Sequence, residues 1–152
     1  MGILNEKRCI IIFIYKSILE IRYILESLFV GCYSLLMYLF ISNIITIKNS
    51  YLTFFFVGFL KHTMGYFLNI HEYYYRTVCN KGNENTCKTT MKSLFIESIF
   101  EGFFFILVGS LLSLVATSKV AVYFTIGVLL HIISEHIGLH KVFCRNKCAI
   151  IR

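Results

Sequence analysis

Proline and tryptophan are both absent from the 152 residues, and only 15% of the chain is charged. Without proline no helix is bent by a missing backbone donor, so long apolar stretches read as straight helices. The low charge stands against 57% hydrophobic residues and a mean hydropathy of +0.72. That balance excludes a soluble catalytic domain, because the apolar runs are too long for the core helices of one. The six cysteines contain no CxxC pair, so no zinc-binding framework is legible in their spacing. A bilayer-crossing helix needs about 20 mostly apolar residues. Four blocks meet that length, at about 26–47, 51–70, 94–116 and 120–140.

What the chain does contain is a pattern that occurs twice. Gly58, His62, His71, Arg76 and Cys79 recur as Gly127, His131, His140, Arg145 and Cys148, five identities at a constant offset of 69. Upstream, Glu26-Ser27-Leu28-Phe29-Val30-Gly31 faces Glu97-Ser98-Ile99-Phe100-Glu101-Gly102 at an offset of 71. Self-similarity of this kind predicts a tandem duplication. Lys48-Asn49-Ser50 and Thr117-Ser118-Lys119 are short polar breaks, so each copy reads as a helical hairpin. The expected fold is therefore all-α, a four-helix transmembrane bundle made from a tandem-duplicated hairpin. With an even number of spans per copy, the repeat is parallel. The segments are an interfacial amphipathic arm at 1–22, a first repeat at 23–79, a cytosolic loop at 80–93, a second repeat at 94–148 and a tail at 149–152.

Net charge is +7, and its placement matters more than its size. Of the 15 Lys and Arg residues, 12 fall in the N-terminal arm, in 71–93 and beyond residue 140, segments that four spans put on one side. The positive-inside bias makes that side cytosolic, with both termini on it. The expectation is a multi-pass integral membrane protein whose partner is the lipid bilayer, with a homo-oligomer as a further option and no role for nucleic acid. Cys79, Cys87, Cys144 and Cys148 then face the reducing cytosol and stay thiols.

Small residues four apart share a helix face and let backbones approach in lipid. Ser27 and Gly31, Ser98 and Gly102, and Gly109 and Ser113 are the expected packing positions. Ionisable residues inside a membrane are costly and point to function or to structural pairing. His62 and His131 are the candidate cofactor ligands, with Glu97, Glu101, Glu135, His136 and His140 completing a candidate metal set. If the helices continue, His71 and His140 lie about 13 Å nearer the cytosol than His62 and His131. With Arg76, Cys79, Arg145 and Cys148 they form a repeated cytosolic boundary.

Three functions remain open on these residues. The leading one is a non-enzymatic membrane component that binds or conducts an ion, a proton or a cofactor. The others are a metal- or haem-dependent membrane oxidoreductase and a structural scaffold held by interhelical hydrogen bonds. His131, His136 and His140 resemble one histidine box of the membrane desaturases and hydroxylases, although five histidines are too few for the several boxes such enzymes use. The length and plan resemble the small membrane glutathione-transferase-type proteins, without their arginine, asparagine and glutamate pattern. The Ile, Phe, Tyr, Lys and Asn bias resembles that of AT-rich genomes. Over Gly58 to Arg76 and its second copy the chain resembles uncharacterised four-span membrane proteins of large DNA viruses. That resemblance implies a viral membrane protein and brings no activity with it.

Overall fold

A computed structural model describes residues 2–74, 90–139 and 142, with side chains described from residue 21 onward. The described residues are helical, with no strand among them. Helix α1 spans Gly2–Ile44, α2 Ser50–Phe67, α3 Ile70–Tyr74, α4 Met91–Leu112 and α5 Lys119–His136. With no proline to interrupt it, α1 runs unbroken through the boundary expected at residue 22, so the arm and the first apolar block are one helix.

The ends of the helices are set by local chemistry. Asn49 caps α2, its side chain accepting the backbone N–H groups of Tyr51 at 2.9 Å and Leu52 at 3.4 Å. Ser118 caps α5 by accepting the N–H of Ala121 at 3.4 Å, and Thr90 caps α4 by accepting that of Ser93 at 3.2 Å. Both 18-residue helices stop at a left-handed residue: Asn69 at φ 57 after α2 and Gly138 at φ 72 after α5. Asn49 and Ser118, like Asn69 and Gly138, stand at the 69-residue offset seen in the sequence.

Two segments, Ile21–Ile44 in α1 and Met91–Ser113 through α4, are long and apolar enough to cross a membrane. Helices α2 and α5 have 18 residues each, about 27 Å of helix. The core is narrow, made chiefly of Ile41, Phe54, Val57, Phe105, Val122, Tyr123 and Ile126. Large apolar side chains cover the outside instead: Phe29, Phe40, Phe95, Phe100 and Phe103 are each more than half exposed.

Helix α1 packs mainly on α5 and α2 mainly on α4, with thinner contacts within each hairpin. Glycines set both close approaches. A Cβ on Gly31 would lie 2.9 Å from the Phe124 ring and 3.0 Å from the Phe124 carbonyl; one on Gly102 would lie 2.7 Å from the Phe55 ring and 3.0 Å from the Phe55 carbonyl. Likewise a Cβ on Gly127 would meet the Val30 carbonyl at 2.7 Å, and one on Gly58 the Glu101 carbonyl at 2.8 Å. Ser27 and Ser98 are buried and bond back to the carbonyls of Tyr23 and Leu94, each at 2.9 Å. Gly109 lies beneath the Phe54 ring. Ser113 differs from the expected packing role: α4 ends there, so the residue is exposed and its hydroxyl bonds back to the Gly109 carbonyl at 2.7 Å.

Candidate functional site

Helices α2 and α4 run antiparallel, which sets Lys61 and His62 opposite Glu101 and Glu97. The two glutamates lie four apart on one face of α4, where like charges would repel without a counter-charge between them. His62 supplies it. Its Nδ1 lies 2.7 Å from Glu101 Oε2 and its Nε2 3.3 Å from Glu97 Oε2. Lys61 Nζ forms an ion pair with the other oxygen of Glu101 and sits 5.4 Å from the Phe105 ring centroid, a cation–π contact. Ser93 Oγ donates to Glu97, and the hydroxyls of Thr63 and Ser98, which follow His62 and Glu97 in sequence, meet at 3.0 Å. None of the four ionisable side chains is more than 20% exposed.

A neutral imidazole has one N–H and one acceptor nitrogen. Carboxylates at both nitrogens are therefore satisfied only if His62 is an imidazolium or one glutamate is a carboxylic acid. Either way the cluster holds a proton. With both bases protonated and both acids ionised it is neutral overall, the condition under which charges are tolerated in low dielectric.

His71 also reaches this site. Because Asn69 turns the backbone, α2 stops and α3 folds back, placing the His71 and His62 ring centroids 4.6 Å apart. The expected separation of about 13 Å assumed a continuous helix. Gly65 makes the return possible: a Cβ there would lie 3.1 Å from His71 Nε2.

The second histidine sits differently. His131, buried on α5, has the Tyr23 ring of α1 at 5.9 Å, and Tyr23 lies 6.3 Å from the His136 ring. The Tyr23 hydroxyl donates to the Ile132 carbonyl at 3.1 Å, and His136 Nδ1 lies 3.0 Å from the same carbonyl. Glu135 accepts from the Tyr74 hydroxyl of α3 at 2.9 Å. Burial first, and the charge of Glu135 second, push the Tyr74 phenol above its ordinary value.

The residues expected to form one ligand set are thus divided. His62, Glu97 and Glu101 meet between α2 and α4, His131 and His136 lie against α1, and Glu135 is joined to α3. Among the described residues no group of three or more His, Cys, Asp or Glu is placed to hold a metal ion. Both nitrogens of His62 are engaged by carboxylates, so this donor set suits a proton better than a haem iron or a transition metal. His140, Arg76, Cys79, Arg145 and Cys148 lie outside the described residues.

The expected site omitted Lys61, Ser93, Tyr23 and Tyr74. A signal for Lys61 existed: at the two offsets, Lys61 corresponds to Leu130 and Glu101 to Val30, so each of the two charges is answered by an apolar residue in the other half. Nothing in the spacing pointed to the tyrosines. Compared with known proteins, the chain matches no family model, no curated protein and no solved structure.

Proposed function

We propose that this chain is a four-span, non-enzymatic membrane protein built from two tandem copies of a helical hairpin, with both termini cytosolic. Its Lys61–Glu101–His62–Glu97 cluster is a proton-binding site reached from the cytosolic side. The observation that carries this reading is the His62 ring held between two carboxylates, 2.7 Å from one and 3.3 Å from the other. Such an arrangement binds or releases a proton by small shifts between groups already in contact.

Duplication is supported by structural features that recur at matching positions. The caps Asn49 and Ser118, the left-handed residues Asn69 and Gly138, and the glycine–ring contacts Gly31–Phe124 and Gly102–Phe55 all repeat at the offsets of 69 and 71. The membrane reading is supported by the two apolar segments and by aromatic rings facing outward, since lipid is the solvent in which such a surface is stable.

Along the α4 axis Glu97 lies about 9 Å and Glu101 about 15 Å from Met91. Beyond Lys61 the way is closed by Val57 and Phe105, both fully buried. A site open on one side and plugged on the other binds protons rather than conducting them across. Its role is then to couple cytosolic pH to the packing of α2 against α4.

Potentiometric titration of purified protein tests this directly. Wild type should exchange one more proton between about pH 5 and 8 than His62→Gln, the range in which histidine titrates. Superimposed curves for wild type and His62→Gln would overturn the reading. Fast proton flux in liposomes would replace binding by conduction.

A further inference from the structure

A cavity of about 560 Å³ opens at the opposite end of the bundle, between the two tight turns. Both hairpins line it, from the ends of α1 and α4 to the starts of α2 and α5. Lys48 and Lys119 are its only charged residues, and no glutamate lines it. The positive ends of α2 and α5 add to the same field. The hydroxyls of Thr46, Ser50 and Thr117 also line the cavity, and no hydrogen bond within the described protein engages them. The Ser42, Thr53 and Ser113 hydroxyls, by contrast, are bonded back to their own helices.

The remaining wall is apolar and aromatic. Tyr38 and Tyr123 stack with centroids 4.0 Å apart, Phe54 lies 5.1 Å from Tyr123, and Ile41 and Val122 continue the surface toward the core. Two cations, three unengaged hydroxyls and an adjoining apolar wall match one chemistry: a phosphate group carried on an apolar body. The size fits as well, since sites for small organic ligands run from about 300 to 1,000 Å³.

We infer that this cavity binds a phosphate headgroup of net negative charge on an amphiphile, with Lys48 and Lys119 on the phosphate oxygens and the Tyr38–Tyr123 wall against the apolar part. Ammonium groups bind phosphate as mobile point charges, which suits two lysines on flexible stems at the rim. The inference is independent of the proton site at the other end.

The source of the phosphate is decided by the ligands compared. Detergent-purified protein is titrated with phosphatidylglycerol, with phosphatidylcholine and with inorganic phosphate, and bound ligand is counted by native mass spectrometry. Wild type should retain phosphatidylglycerol over phosphatidylcholine, and added salt should weaken that retention. Lys48→Gln and Lys119→Gln should each weaken it roughly fivefold, and together about thirtyfold, at about 1 kcal/mol per cation. Lys92→Gln, which removes an exposed lysine outside the cavity, should leave it unchanged. Inorganic phosphate bound with the same dependence on both lysines would keep the phosphate site and make the source soluble. Equal retention of both lipids, with no phosphate bound, would overturn the inference. So would a double variant that is folded by circular dichroism and unaltered in binding. If the double variant does not fold, the salt dependence of wild type decides, and retention indifferent to salt overturns the inference.

Discussion

Lys61 on α2 and Glu101 on α4 form an ion pair, and the positions that correspond to them at the two sequence offsets, Leu130 and Val30, are both apolar. The two charges are thus a unit that the α2–α4 contact carries and the α1–α5 contact does without. A buried charge left without its partner is costly, whereas an apolar pair of similar volume at the same place is not.

This gives the first expectation. Lys61→Leu and Glu101→Val should each destabilise the protein by about 3–5 kcal/mol, and the double variant should recover most of that loss. Thermal unfolding of the four proteins in one detergent measures the coupling. Additive losses would mean that the pair contributes nothing as a pair.

Helix approach at Gly127 leaves no room for a methyl group, because the Val30 carbonyl is 2.7 Å from where its Cβ would be. Backbone cannot yield as a side chain does. Gly127→Ala should therefore destabilise by about 1–3 kcal/mol despite the better helix propensity of alanine. Gly138→Ala, at φ 72 with open space around it, tests a different cause, backbone strain alone. Its cost should be smaller, about 1 kcal/mol, in the same unfolding assay.

Gly65 serves the site rather than the interface. Gly65→Ala should push His71 off His62, since the new methyl would lie 3.1 Å from His71 Nε2. The ring of His71 is the part that can move, so stability should change by less than about 1 kcal/mol. Histidine side-chain resonances of both His62 and His71 should shift in nuclear magnetic resonance spectra, and an unchanged His62 signal would count against the contact.

The hydrogen bond from Tyr74 to Glu135 ties α3 to α5. Burial first and the glutamate charge second raise the phenol above its ordinary value of 10.0, so the folded chain holds that proton more firmly than the unfolded chain. The resulting stability is complete below about pH 10 and is lost as the pH climbs past it. Tyr74→Phe should lower stability at neutral pH by about 1 kcal/mol and flatten the decline at high pH. Tyrosinate absorbance, followed alongside unfolding, reports both.

Topology is tested by reporters that act only on one side of a membrane. Fusions at both termini and an insertion in the 80–93 loop should report the cytosol, and insertions at Asn49 and Ser118 the opposite side. A terminus found outside would remove the four-span arrangement.

Much of this was legible in the chain. Its apolar content and lack of proline determined long helices, and its polar breaks located the turns at Asn49 and Ser118. Those properties are local or depend only on spacing, so a linear sequence carries them in full. Tertiary structure alone decided that α1 chooses α5 and α2 chooses α4, that His71 returns onto His62, and that Lys61 joins Glu101 while Glu135 goes to Tyr74. Periodicity says which residues share a face of one helix. It does not say which face of another helix will meet them, because that depends on where a glycine lets a ring and a backbone close to within about 3 Å.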